Sequence, residues 1–218
     1  MTGFLELFGQ SLPSLLGGLR VSALLTLVAL LFGLPIATVL AFAARAKVAP
    51  IRVVAVVVIE IGRGIPALVL LYFMYFGLPD AGLTLPAFLS AAVALAFMVG
   101  AYCAEYLRGG FSAVPQGEIE GAQALGMSDF DTMRYVILPQ GWRIALPGLM
   151  GFAILTFQST SLAYNVTVRE LMSITYSAAS QNFQHLSMFL MAGLLYAIVS
   201  IPASWLSVLV EKRMAKHL

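Results

Sequence analysis

The sequence predicts an all-α membrane protein in which about five helices cross the bilayer. Of its 218 residues, 61% are hydrophobic and only 10% are charged, whereas a soluble domain carries about 25% charged residues. A span needs roughly 20 predominantly apolar residues. Five runs meet that requirement: residues 21–44, 53–77, 86–107, 144–165 and 186–210. Residues 1–218 are therefore expected to form a single transmembrane domain.

Charge and cysteine content exclude several functional classes. The net charge is only +2, so nucleic acid is not an expected partner. Cys103 is the single cysteine, which rules out an internal disulfide and a cysteine-based metal cluster. The first basic residue is Arg20, so the chain lacks the basic start of a cleaved signal peptide. We interpret residues 1–18 as a short interfacial segment before the first span.

The distribution of basic residues predicts an outer N-terminus and a cytoplasmic C-terminus. Basic residues accumulate in the cytoplasmic connections of membrane proteins. Nine of them fall on one face: Arg45, Lys47, Arg52, Arg108, Arg134, Arg143, Lys212, Arg213 and Lys216. The opposite face has only Arg20 and Arg169. The polar segment 108–143 is therefore predicted to be cytoplasmic.

The second span carries a predicted interruption. Pro66 removes a backbone donor from the helix, and Gly62 and Gly64 precede it. Glu60 and Arg63 are three residues apart, so they can pair on one helix face. Ionisable residues inside spans mark substrate or ion pathways. The segment is therefore either a paired structural kink or a polar contact along a transport path.

The fourth span ends in a polar cluster. Gln158, Ser161 and Asn165 recur at helical spacing, with Tyr164 beside them. They are predicted to present a polar stripe to a translocation route. The alternative is that the hydroxyls bond the backbone of their own helix.

The connection 166–185 is predicted to be amphipathic rather than spanning. Arg169 and Glu170 are expected to be solvated or to belong to an outer docking surface. His185 stands alone, so no metal site is expected.

The polar segment 108–143 is far longer than the usual ~4–6 residues of a connection. A first short helix is predicted between Pro115 and Gly126, because proline suits a helix start and glycine suits the position that ends one. A second is predicted from Ser128, which can cap it, to a stop at Pro139. The two helices form either an ordinary surface hairpin or a lever that docks on a partner.

The same segment resembles the EAA loop of ABC-importer permeases. The loop consensus is E-A-A, three residues, G, nine residues and I-x-L-P. The matching residues are Glu120, Gly121, Ala122, Gly126 and the run 136–139. The chain departs from the consensus at Gly121, where the family has Ala, and at Val136, where it has Ile.

Three further segments, 62–79, 101–126 and 159–171, resemble the polar amino-acid branch of these permeases, which serves histidine, glutamine, glutamate, arginine and opines. The resemblance implies a type I ABC importer permease fold in the bacterial inner membrane. It implies two cytoplasmic ATP-binding subunits, a second permease subunit of the same or a homologous sequence, and an outer solute-binding protein. It assigns contact with the ATPase to the coupling residues Glu120, Gly121, Ala122, Gly126, Leu138 and Pro139.

The chain contains no G-x-x-x-x-G-K-[ST] phosphate loop. We therefore expect it to be non-catalytic and to bind no cofactor, with ATP and magnesium held by the partner ATPase. For an amino-acid substrate, Arg63 is the predicted donor to the carboxylate. The predicted acceptors for the ammonium group are Glu60, Gln158, Ser161 and Tyr164.

Two other functional classes are weighed against the importer. A stand-alone secondary transporter would use Glu60, Arg63 and Glu105 as coupling groups, but the chain lacks the inverted repeat common in such proteins. An intramembrane enzyme needs a nucleophile–base or metal constellation. His185 and His217 are the only histidines, and they are predicted to lie on opposite faces of the membrane.

Overall fold

The structure, a computed structural model, describes residues 2–214, with side chains from Glu6 onward. Lys216 and His217 of the predicted tail lie outside the described residues. The α-helices are α1 (Thr2–Ala43), α2 (Ala49–Gly64), α3 (Ala67–Tyr72), α4 (Ala87–Ser112), α5 (Gln116–Ala124), α6 (Asp129–Asp131), α7 (Leu138–Ser159), α8 (Leu171–Asn182) and α9 (His185–Met214). Helix α3 continues through a π-helical segment, Phe73–Gly77, and a 3-10 segment, Leu78–Ala81.

Within the described residues, four helical stretches are long and apolar enough to cross a membrane: Glu6–Ala43, Ala87–Ser112, Asp129–Val166 and His185–Met214. A fifth candidate is the pair Ala49–Gly64 and Ala67–Ala81, which is bent by 102°. The predicted all-α architecture with about five spans is thus confirmed. Each helix reaches beyond the apolar run that predicted it at one end or both, because helical structure continues past the apolar residues.

The N-terminal residues do not form a separate interfacial segment. Helix α1 is continuous over 42 residues, or about 63 Å at 1.5 Å per residue. Its first half packs against α8 and α9 in a cluster of its own. The buried members of this cluster are Leu15, Leu171, Ala179, Met188, Met191, Ala192 and Leu195. The apolar face of residues 7–19 finds tertiary partners there, which explains why the helix extends so far.

Helix α2 ends where the sequence predicts an interruption. Ile65 has an extended backbone (φ −89°, ψ 127°), as expected for a residue that precedes proline. Pro66 then begins α3 as its N-cap. The prediction of a broken span is confirmed, and the 102° bend turns α3 almost perpendicular to α2.

Helix α4 is the centre of the fold. It packs against α1, α2 and α7, and small residues dominate its buried surface. The buried set is Ser90, Ala91, Ala92, Ala94, Leu95, Ala96, Met98, Val99, Gly100, Ala101, Cys103, Ala104, Leu107, Gly110 and Phe111. Small side chains allow neighbouring helices to approach closely within a membrane, so α4 can be surrounded on most sides.

The predicted helix stop at Pro139 is wrong. The helix that begins at Asp129 passes through six π-helical residues, Thr132–Ile137, and continues directly as α7. Pro139 stands in the first turn of α7, immediately after the π-helical turn. A π-helical segment changes the hydrogen-bond register, so the missing amide of the proline falls at a point where the register is already interrupted. The second loop helix is therefore the beginning of the fourth span.

Candidate translocation and coupling sites

A cavity of about 410 Å³ lies at the break between α2 and α3. Its wall combines both sides of the break with α4 and α7. The lining residues are Arg63, Gly64, Ile65, Pro66, Ala67, Met98, Tyr102, Phe152, Leu155 and Ser159. The polar groups among them are the guanidinium of Arg63 and the hydroxyls of Tyr102 and Ser159. The site is an apolar pocket with one positive charge.

Tyr102 connects the break to the central helix. Its hydroxyl donates to the backbone carbonyl of Arg63 at 3.0 Å, and its ring stacks on Phe152 of α7 at 4.7 Å between centroids. The guanidinium carbon of Arg63 lies 6.0 Å from the centre of the same ring. Tyr102 therefore holds the end of α2 against α4 and α7.

Four charged side chains form a ladder between α2 and α4. Arg63 Nη1 lies 3.3 Å from Glu60 Oε1 and 3.8 Å from Glu105 Oε2. Arg108 Nη1 donates to the same Glu105 oxygen at 2.8 Å. The predicted pairing of Glu60 with Arg63 is confirmed. Sequence spacing could not reveal that Glu105 and Arg108 join them, because their contact with α2 depends on helix packing.

The structure brings only part of the predicted pathway set together. Arg63 lines the cavity, and Glu60 contacts Arg63. Gln158 is exposed beside Ser159. Ser161 and Tyr164 lie in the 3-10 segment Thr160–Val166. The assignment of these residues to the pathway stays a prediction.

Local hydrogen bonds account for much of the predicted polar stripe. The Ser161 hydroxyl donates to the carbonyl of Gln158 at 2.7 Å, and the Asn165 amide donates to the carbonyl of Leu162 at 3.0 Å. The Tyr164 ring packs against Tyr176 of α8 at 5.2 Å. In both bonds the side chain donates to the backbone carbonyl three residues earlier, the spacing that a 3-10 turn brings together.

Helix α5, the predicted coupling helix, ends as the sequence predicts. Gly126 has φ +81°, in the left-handed region that glycine enters readily. Its amide donates to the carbonyl of Gln123 at 2.9 Å, and the amide of Met127 donates to the carbonyl of Ala122 at 3.1 Å. This pair of bonds is the Schellman motif. Ser128 then accepts a hydrogen bond from the amide of Asp131 at 3.1 Å and caps the next helix.

A hollow of about 360 Å³ lies beside α5, and two of the predicted coupling residues belong to its wall. Gly121 and Ala122 line it, together with Leu125, whose side chain is 86% exposed. Glu120 points to solvent and accepts from the Gln116 amide at 3.3 Å. The remaining predicted residues lie further along the chain, where Leu138 is half-buried and Pro139 is exposed. An exposed leucine beside a hollow marks a surface that suits a protein partner.

An exposed ion pair joins the α1–α2 turn to this coupling region. Lys47 contacts the carboxylate of Asp129. The hydrogen bond and the opposite charge raise the pKa of Lys47 and lower the pKa of Asp129. Both side chains are well exposed, so the pair contributes little stability.

The predicted coupling segment, which contains α5, is anchored where α4 and α7 cross. A Cβ on Gly110 of α4 would overlap the carbonyl oxygen of Gly141 and lie 2.9 Å from the Ala145 Cβ. A Cβ on Gly141 would lie 2.9 Å from the Phe111 Cα. The two helices therefore touch backbone to backbone just before and just after the coupling segment.

Glu170 is the site residue that sequence reasoning placed wrongly. It is fully buried rather than solvated. Its carboxylate caps α8 by accepting from the amides of Met172 and Ser173, each at 2.8 Å. It also accepts from the hydroxyls of Ser22 at 3.2 Å and Tyr196 at 3.0 Å.

These bonds join α1, α8 and α9 at one carboxylate. Burial raises the pKa of Glu170, while its four donors oppose the rise. The only sequence signal for this role is the position of an acidic residue directly before a helix, where it can act as an N-cap. Arg169 beside it is exposed, as predicted.

Comparison with known proteins agrees with this architecture. A model of the family described as "Binding-protein-dependent transport system inner membrane component" matches residues 29–216. The probable amino-acid ABC transporter permease protein YckA of Bacillus subtilis (strain 168) is 34% identical over 209 residues, covering 95% of this chain and 92% of YckA. The L-cystine transport system permease protein TcyB of the same organism is 33% identical over 206 residues, covering 94% of this chain and 88% of TcyB.

A solved structure, described as the crystal structure of an amino acid ABC transporter with histidines, superimposes with a TM-score of 0.91. It is 31% identical in sequence and covers 96% of this chain and 98% of that chain. The fold and site thus define a multi-pass membrane permease of the ABC-importer class. The chain belongs to the family of binding-protein-dependent inner membrane components, in the branch of the amino-acid permeases.

Proposed function

We propose that this chain forms the translocation path of an ATP-driven importer for polar amino acids or related opines in the bacterial inner membrane. The observation that carries the proposal is that α4 and α7 serve both sites. Met98 and Tyr102 of α4, and Phe152 and Leu155 of α7, line the cavity. The coupling helix α5 is inserted between these same two helices, so a displacement of α5 acts directly on the cavity wall.

The partners follow from this role. Two cytoplasmic ATP-binding subunits dock on α5, a second permease subunit completes the path, and an outer solute-binding protein delivers the substrate. The chain itself is non-catalytic and holds no cofactor; ATP and magnesium belong to the partner ATPase. The transport of amino acids and of L-cystine, for which these relatives are named, supports this assignment.

The cavity at the helix break supports an amino-acid substrate. Arg63 offers a planar guanidinium that can bind a carboxylate through two parallel hydrogen bonds. The apolar wall around it accommodates a side chain, and binding pockets usually combine such a wall with a few polar groups.

Replacing Arg63 with alanine is expected to reduce uptake roughly ten-fold or more, since a hydrogen bond to a charged group contributes about 1.5–3 kcal/mol. Uptake is measured with the assembled importer in proteoliposomes. Arg63→Lys is the matched variant: it keeps a positive charge beside Glu60 but loses the two-pronged geometry. Normal uptake by the alanine variant would remove Arg63 from the path. A fall in yield with unchanged uptake per complex would show that Arg63 only pins the bend.

Replacing Gly126 with valine is expected to uncouple ATP hydrolysis from uptake. A β-branched residue resists φ +81°, so the joint between α5 and the following helix must change its geometry. We expect uptake per ATP hydrolysed to fall about five-fold or more, the lower range of a typical coupling energy. Gly126→Asn is the control, because asparagine tolerates the left-handed conformation.

The coupling test uses protein purified from native membranes in mild detergent and reconstituted with its partners. Co-purification of ATP-binding subunits and loss of coupling in the valine variant, with the asparagine variant intact, are the expected results. An unchanged uptake per ATP hydrolysed in the valine variant would mean that the joint at Gly126 transmits no motion. A chain that purifies alone and transports on an ion gradient would overturn the importer assignment in favour of a secondary transporter.

A further inference from the structure

Two opposite charges beside the cavity match the two charges of an α-amino acid. We propose that Arg63 and Glu105 together recognise the zwitterionic head of the substrate. Arg63 binds the carboxylate, and Glu105 accepts the ammonium group. This inference rests on the proposed function and adds Glu105 as a specificity-determining residue.

Glu105 stands next to the cavity on the stripe of α4 that lines it. Met98 and Tyr102 are lining residues four positions apart. Glu105 follows Tyr102 by three positions, so all three residues lie on one face of α4. Its Oε2 atom lies 3.8 Å from Arg63 Nη1. An α-amino acid carries its ammonium and carboxylate on one carbon, so a ligand that docks on Arg63 brings its ammonium within reach of Glu105.

The ladder leaves bonding capacity on both residues. Its contacts use Nη1 of Arg63 and Oε2 of Glu105. Within the described part of the chain, the Nε and Nη2 groups of Arg63 and the Oε1 atom of Glu105 bond to no protein group. A guanidinium edge and a carboxylate oxygen are thus available to a ligand without breaking the existing contacts.

Arg108 positions Glu105 for this role. It donates to Glu105 Oε2 at 2.8 Å, which holds the carboxylate in one orientation. The side chains of Arg63, Glu105 and Arg108 are 35%, 38% and 30% exposed. They are accessible to a ligand, yet sheltered enough for charge–charge contacts to exceed those in bulk water.

Glu105 is favoured over Glu60 as the ammonium acceptor. Glu60 is 61% exposed, against 38% for Glu105, and the neighbouring Val57 and Ile61 on α2 are exposed as well. Glu60 contacts Arg63 at 3.3 Å, closer than Glu105 at 3.8 Å. Glu60 therefore orients the guanidinium. A ligand without an ammonium group leaves Glu105 without its partner, and such a mismatch is a strong source of discrimination.

The test measures ligand binding to the detergent-solubilised permease–ATPase complex without the binding protein. The probe is a radiolabelled mixture of the common L-amino acids supplemented with an opine, with the N-acetylated mixture as competitor. The wild-type complex is expected to bind the probe and to ignore the acetylated competitor. Glu105→Gln should weaken binding roughly ten-fold or more and narrow the preference for the free amine. Arg108→Gln should have a smaller effect in the same direction.

Asp80→Asn serves as the matched control, because it removes an exposed carboxylate outside the cavity. It should change neither the binding of the probe nor the preference for the free amine. General structural damage would weaken probe and competitor alike, so the preference between them isolates recognition. Three results would overturn the inference: no probe binding to an intact complex, an unchanged preference in Glu105→Gln, or loss of the preference in Glu60→Gln alone. Failure of the ATPase to co-purify would instead overturn the proposed function.

Discussion

Gly110→Val is expected to prevent stable packing of α4 against α7. The added side chain would meet the backbone carbonyl of Gly141 and the Ala145 Cβ at 2.9 Å. A backbone atom cannot rotate away as a flexible side chain can, so the helices must separate. Forcing extra groups into a close-packed contact costs about 1–3 kcal/mol and occasionally more. Because this clash is with backbone, we expect a destabilisation at the upper end of that range.

The measurement is the apparent Tm and the yield of monodisperse protein in detergent. A loss of about 3 kcal/mol corresponds to a drop of roughly 6–12 °C for a chain of this size. Gly109→Val is the matched control: it lies on the same turn of α4, and a Cβ there meets no atom within 4 Å. Valine is no worse than glycine in a helix, so the control should keep the wild-type Tm. Equal Tm values for the two variants would show that α4 and α7 do not cross this closely.

Glu170→Ala is expected to detach the outer helix α8 from α1 and α9. The substitution leaves the amides of Met172 and Ser173 and the hydroxyls of Ser22 and Tyr196 without their acceptor. Loss of an N-cap costs about 1 kcal/mol, and each buried donor left unsatisfied costs a further ~1–3 kcal/mol. We expect a total destabilisation of about 3 kcal/mol or more.

The readouts are apparent Tm and hydrogen exchange across residues 171–182. Glu170→Gln should lower the Tm less than Glu170→Ala, because its amide oxygen can still accept from some of the donors. Arg169→Ala alters the exposed neighbour and should leave Tm and exchange unchanged. If Glu170→Ala exchanged no faster than Arg169→Ala in this helix, the carboxylate would not be what holds α8 in place.

The sequence alone was sufficient for features that depend on local chemistry. The spans follow from apolar runs of sufficient length, since a bilayer requires about 20 apolar residues per crossing. The break at Pro66 and the helix end at Gly126 follow from backbone preferences that act within a few residues. The contact of Glu60 with Arg63 follows from helical spacing. The spacing of Glu120, Gly126 and Pro139 also carried the family resemblance.

The features that the sequence did not reveal depend on which helices meet. The sequence predicts Glu170 to be a surface residue. It is buried because α1 and α9 pack over the start of α8 and enclose it. Glu105 contacts Arg63 through the packing of α4 against α2, which no spacing rule anticipates. Pro139 predicts the end of a helix because its missing amide normally interrupts the hydrogen bonding. The preceding π-helical turn nevertheless allows the helix to continue.

Local backbone and hydrophobic preferences thus determined the spans, the break and the coupling joint. Only the tertiary structure decided which polar groups became buried or paired across helices, since those contacts join residues far apart in the chain.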